Sequence, residues 1–129
     1  MDENEIGKIV VGTALRVHRD LGPGLLESVY ELILTHELRN HGLRVKRQVP
    51  IAINYRGLTF EEGFRADILV EDKVILEIKC VERLSSVHRK QLLTYLRLTH
   101  LRLGYLLNFS EELMKAGVIR IVNGLPESS

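Results

Sequence analysis

The spacing of apolar residues changes once along this chain, and that change restricts the fold more than any other feature. Ile6, Ile9, Val10, Ala14, Val17 and Leu21 recur at helical spacing, which predicts a helix over about 4–20. Gly22-Pro23-Gly24 interrupts it, because glycine frees the backbone and proline cannot continue the hydrogen-bond ladder. Leu26, Val29, Tyr30, Ile33 and Leu34 then mark a second helix over about 25–41, closed by Gly42. From Leu43 the period becomes two. Leu43, Val45, Val49, Ile51 and Ile53 alternate with Arg44, Lys46, Gln48 and Ala52, the pattern of a half-buried strand. After a turn at Tyr55-Arg56-Gly57, two more strands are expected at about 59–70 and 74–80, separated by Glu71-Asp72-Lys73. Ser85 or Ser86 can cap a third helix running to about 98, and Leu101 to Phe109 is apolar enough for a buried strand. Ser110 is expected to cap a short helix begun by Glu111 and Glu112, with a last strand from Val118 to Val122. The order ααβββαβαβ predicts an α/β fold with a mixed sheet flanked by helices.

A length of 129 residues suits one domain over 1–129, with the residues from about 124 forming a loose tail. An apolar fraction of 45% and a charged fraction of 27% are those of a soluble globular protein. No stretch approaches the roughly 18–20 apolar residues of a membrane span. The acidic opening Met1-Asp2-Glu3-Asn4-Glu5 is not that of a secretory signal, so a cytoplasmic protein is expected. The lone Cys80 cannot form an intrachain disulfide, and it is expected to face the core as an inert thiol. The scattered histidines have no zinc-ligand spacing.

A net charge of +1 says little about partners, but its distribution says more. No Asp or Glu occurs from Arg83 to Ser110, where Arg83, Arg89, Lys90, Arg97 and Arg102 fall. Arg44, Lys46 and Arg47 form a second basic cluster. Basic faces on a near-neutral chain suit a polyanion, although a solvated helix face accounts for them equally.

The chemistry concentrates between Phe64 and Lys79. Strands that hide apolar residues here carry Asp67, then Glu77 and Lys79 on one face. With a loop at 71–73, Val70 pairs with Val74 and Asp67 falls opposite Glu77, which brings two carboxylates together. Such a pair repels unless a cation lies between, and oxygen-only donors favour Mg²⁺ or Mn²⁺, with the Ile78 carbonyl as a further donor. Lys79 would meet the same site, where an ammonium can orient a water and steady charge developing on a phosphate. The alternative is a charged hairpin face in which Asp67, Glu77 and Lys79 form surface ion pairs. Glu27, beside Tyr30 on the second helix, could join the site or simply lie near a helix N-terminus. Gln91 and Tyr95, four apart on one helix face, could hold a carboxylate or phosphate or simply border the core. His18, His88 and Asn108 could each reach a ligand or serve only the fold.

Gly24-Leu25-Leu26-Glu27-Ser28-Val29-Tyr30 matches the GxxExxY motif that names a family of small bacterial and archaeal proteins. That family is assigned to the PD-(D/E)XK nuclease superfamily, the restriction-endonuclease-like fold. The resemblance also takes in Val17-His18, Arg65-Ala66-Asp67, Glu77-Ile78-Lys79, Gln91-x-x-x-Tyr95 and Asn108-Phe109, covering roughly 5–122. Ala66 stands where the superfamily's name has proline, but the aspartate is the chemically needed part. The resemblance implies an αβββαβ core with an extra N-terminal helix and a C-terminal helix and strand. It implies Asp67, Glu77 and Glu27 as metal ligands and Lys79 as the catalytic lysine. Gln91 and Tyr95 resemble the Gln-x-x-x-Tyr element of RecB-like nucleases, with Tyr30 in support. Phosphate contacts are expected from Arg65, Arg83, His88, Arg89 and Lys90. The implied activity is Mg²⁺- or Mn²⁺-dependent phosphodiester hydrolysis, on DNA more than RNA and without strong sequence specificity, and a homodimer would suit cutting two strands. The alternative is a nucleic-acid-binding or assembly module with weak or no catalysis.

Overall fold

A computed structural model describes residues 1–126 of the chain. Its elements are α1 (Glu3–Leu21), α2 (Glu27–Asn40), β1 (Val45–Tyr55), β2 (Leu58–Val70), β3 (Val74–Lys79), α3 (Ser86–Thr99), β4 (Leu103–Asn108), α4 (Met114–Gly117) and β5 (Val118–Val122). The expected αβββαβ core runs from α2 to β4, preceded by α1 and followed by α4 and β5. Among the described residues, no helix is long and apolar enough to cross a membrane.

The sheet order is β1-β2-β3-β4-β5. Consecutive strands run antiparallel except β3 and β4, which are parallel because α3 carries the chain back between them. Helices cover both faces. Ile6, Val10, Ala14 and Val17 of α1 and Tyr30, Leu34 and Leu38 of α2 pack on Ile68, Val70, Leu76 and Ile78. On the other face, Leu92 and Leu96 of α3 pack on Phe64, Ala66, Leu69, Ile75 and Leu106. β4 is sandwiched between these layers and buried at all six residues, which is why it does not alternate and its one strongly polar residue, Asn108, stands at its end.

Local chemistry explains the boundaries. Asp2 and Glu5 form a reciprocal capping box at the start of α1. The β1–β2 turn is Arg56-Gly57, both at positive φ (46° and 86°), the left-handed pair that matches the strand twist of a two-residue hairpin. One expected cap is corrected. Ser110 does not begin a helix: its N–H donates to the Asn108 side chain, and α4 starts only at Met114, after Leu113. The expected loose tail is partly described: Leu125 packs against the α1–α2 core, and residues 127–129 lie outside the described part.

Candidate active site

Two strands part company at the carboxylates. β2 pairs with β3 only at Ile68↔Leu76, Leu69↔Ile75 and Val70↔Val74. β3 continues beside β4 to Lys79↔Asn108, while the earlier part of β2 pairs with β1 alone. Asp67 and Glu77 are the next residues along this register, at the base of the fork.

Buried backbone donors need partners, and side chains supply them here. The Asp67 N–H donates to Glu77 Oε2 at 2.8 Å, and the Ile78 N–H donates to Asp67 Oδ2 at 2.8 Å. Further along, the Cys80 N–H donates to Glu27 Oε2 at 2.8 Å. The side chain of Asn108, fully buried, accepts from the Val81 N–H and donates to the Val81 carbonyl. Asn108 therefore ties the β3–α3 connection to the end of β4.

β2 also turns over at this point. Phe64 and Ala66 face α3, whereas Ile68 and Val70 face α1 and α2, although strict alternation would put all four on one side. On β1, Arg47↔Ile68 and Val49↔Ala66 flank a gap at Gln48, whose φ is 51°. Asp67 sits at this seam, so its carboxylate is reached from the α2 side and feels groups on the α3 side.

On the α2 side a cleft of about 320 Å³ is lined by Glu27, Glu31, Arg47, Gln48, Asp67 and Ile78, among others. Larger hollows of about 670 Å³ and 470 Å³ lie along α1, away from Asp67 and Glu77. Size is thus a poor guide to the chemistry here. Glu31 was not foreseen as part of the site. It is buried, and it accepts from Arg47 at 2.6 Å and from Gln48 at 2.7 Å. Its position four residues after Glu27 places both on one helix face, which was the available signal.

Electrostatics single out one carboxyl. Burial, then the charge of Asp67, push Glu77 up to about 8 from an ordinary 4.5, although Lys79 pulls the other way. Asp67 is also raised, chiefly by burial, with the Glu31 and Glu27 charges adding to it and the Ile78 N–H and Lys79 opposing. Burial and then the Glu77 and Asp67 charges raise the Tyr95 hydroxyl, with Gln91 opposing. Tyr95 is thus within electrostatic reach of the fork, its ring stacked on Phe64 at 3.8 Å between centroids.

Glu27, Asp67, Glu77, Lys79 and Tyr95 thus share one neighbourhood. Other candidates are spent elsewhere. The Tyr30 hydroxyl donates to the Gly22 carbonyl and accepts from the Leu25 N–H, which fixes the loop leading to Glu27. Arg65 is held by Glu62 at 2.7 Å. Nδ1 of His88 accepts the Ser85 N–H in the cap of α3, and Nε2 of His18 meets the Glu111 carbonyl. The basic cluster at 44–47 is neutralised by Glu71, Asp72 and Glu31, and Arg102 by Glu3. Arg83, Arg89 and Lys90 stay exposed and enter no ion pair among the described residues. Cys80 is half-buried against the α1–α2 core, and burial raises its thiol, which makes it a poor nucleophile.

The profile of the PD-(D/E)XK nuclease superfamily matches residues 4–121, nearly the whole chain. The chain belongs to the PD-(D/E)XK nuclease superfamily. No curated protein and no solved structure gives a significant match. The five-stranded mixed sheet with helices on both faces is the restriction-endonuclease-like architecture of that superfamily.

Proposed function

We propose that this PD-(D/E)XK protein is a metal-dependent nuclease of the GxxExxY type, hydrolysing phosphodiester bonds of nucleic acid, DNA in preference to RNA, at the fork between β2 and β3. The observation that carries this reading is the buried Asp67–Glu77 pair, in which burial and then the Asp67 charge lift Glu77 to about 8. A pair built at that cost is relieved by a cation.

The donors fit a hard ion. Among the described residues no three of His, Cys, Asp and Glu lie close enough together to hold a metal unaided. Mg²⁺ typically takes one or two carboxylates and completes its shell with water and phosphate oxygens, and Mn²⁺ accepts the same donors. Asp67, Glu77 and the Ile78 carbonyl would hold it, with Glu27 on α2 reaching the ion through a water. A bound divalent ion supplies Lewis acidity and neutralises charge on the phosphate. Lys79 orients the attacking water and faces the charge that develops on phosphorus. Gln91 and Tyr95 steady the carboxylates from α3. Arg83, Arg89 and Lys90 offer unpaired charge to the phosphate backbone, which positions a strand without reading its sequence.

One observation favours the rival reading of a non-catalytic binding module: Glu27, Asp67 and Glu77 each already accept a backbone N–H. Cleavage of labelled single- and double-stranded DNA and RNA with Mg²⁺, Mn²⁺ or EDTA separates the two. Asp67→Ala and Lys79→Ala should each lower a metal-dependent rate by about 10²-fold or more. Equal rates in wild type and both variants would sink the hydrolase.

A further inference from the structure

The hollow of about 670 Å³ along α1 lies apart from the fork and takes no part in the chemistry proposed there. Its volume falls in the range of small-molecule sites, roughly 300–1,000 Å³. One wall is a stripe of α1 made by Asn4, Gly7, Lys8, Val11, Gly12 and Leu15, residues three and four apart. The other wall is Tyr105 of β4 and Arg120 of β5, cross-strand partners that share a face of the sheet.

The polar groups of this hollow converge and are of one kind. Lys8 and Arg120 are exposed, enter no ion pair among the described residues and meet no carboxylate in the lining. The Arg120 guanidinium is held in place by a neutral partner: its Nη2 donates to Asn4 Oδ1 at 2.9 Å. Tyr105 is only 5% exposed, yet among the described residues no acceptor takes its hydroxyl proton. Arg120, the group beside that hydroxyl, can only donate. Burial raises the hydroxyl, with Arg120 opposing, so Tyr105 keeps its proton at neutral pH. A lysine, an arginine and an unaccepted O–H thus border one space, and charge-assisted acceptance by an anion satisfies all three.

The rest of the lining is apolar or bare. Val11 and Leu15 form the floor. A Cβ on Gly7 would collide with the Tyr105 hydroxyl, so that glycine admits the ring. No such contact explains Gly12, where a Cβ meets nothing within 4 Å, although glycine is a weak helix former. The bare backbone there leaves room for an apolar body beside Val11 and Leu15.

We propose that this hollow binds a small organic anion, its carboxylate or phosphate head held by Arg120, Lys8 and Tyr105 and its apolar body laid along Val11, Gly12 and Leu15. The site is independent of the nuclease reading. A nucleic-acid backbone repeats its charge along an edge, whereas here one cluster of donors adjoins an apolar floor.

Calorimetric titration of the full chain with octanoate and with octyl phosphate distinguishes the two heads, and octylammonium controls for the apolar body. At least one anion should saturate a single site, and octylammonium should not. Tyr105→Phe removes only the free hydroxyl and should raise the Kd about tenfold, as for one hydrogen bond to a charged group. Gly12→Leu fills the space without touching the donors and should abolish binding, while a urea midpoint at or above wild type shows that the variant folds. Failure of both anions to bind would overturn the site, as would a wild-type Kd in either variant. Equal binding of octylammonium would reduce the hollow to apolar adsorption and overturn the anion. Displacement of the bound anion by oligodeoxythymidine would assign the cations to nucleic acid and overturn it too.

Discussion

Replacing Glu77 by glutamine removes one of two buried carboxylates at the fork, and the effect should depend on pH. Burial and the Asp67 charge lift the folded-state carboxyl from 4.5 to about 8. The unfolded chain titrates it near the ordinary value. Between those values the metal-free folded protein holds a proton that the unfolded chain has released. Stability therefore falls as pH rises through this window, by about 1.4 kcal/mol per unit, and the loss is complete above the folded value. Expressed in full it is roughly 5 kcal/mol, comparable to the whole stability of a marginal domain. The glutamine amide stays neutral, and its Oε1 can still accept the Asp67 N–H, as Glu77 does at 2.8 Å. Glu77→Gln should therefore match wild type near pH 5 and exceed it by several kcal/mol at pH 9. Urea unfolding followed by circular dichroism in EDTA across that range measures both. Adding Mg²⁺ at pH 8 should restore wild type, by about 2.7 kcal/mol at a hundredfold excess over Kd, and leave the variant nearly unchanged. A wild-type stability that stays flat between pH 6 and 8 in EDTA would refute the reasoning, as would a Glu77→Gln profile with the wild-type slope.

Two further substitutions probe what holds the site in place. Glu31→Gln leaves Arg47 without its counter-charge in a partly buried pocket and should cost about 2–4 kcal/mol, while a double change of both residues to methionine should recover most of it; additive losses in urea unfolding would show that the pair is not coupled. Asn108→Ala removes the partner of Val81 N–H, Val81 carbonyl and Ser110 N–H at a fully buried position. It should lower stability by about 2–4 kcal/mol and speed hydrogen exchange at Val81, and an unchanged urea midpoint would contradict that role.

The sequence shows the fold well where neighbours in the chain decide it. The period-3.6 and period-2 stretches anticipate α1, α2 and the three consecutive strands because one element's buried face is written in its own residues. The Asp67–Glu77 meeting is equally local, since a three-residue loop sets the register. Partnerships across distance leave no such trace. Arg44, Lys46 and Arg47 read as a basic cluster, yet their acidic partners lie 16–27 residues away. Gln48 carries no residue-type signal for a left-handed backbone, so the break in β1 opposite Asp67 could not be anticipated. Ser110 has the right chemistry for a cap, but Asn108 claims its N–H first.

The uncovered hairpin face belongs to the same class of hidden information. Ile-Ala-Ile-Asn-Tyr and Leu-Thr-Phe alternate like any half-buried strands, and alternation says which face is apolar without saying what covers it. α3 supplies cover only as far as Tyr95 reaches Phe64. The divergence of β2 from β3 explains both the site and the uncovered face. It takes Asp67 and Glu77 out of regular pairing, leaving their carboxylates to accept backbone donors. It also carries the apolar face of β2 past the last helix.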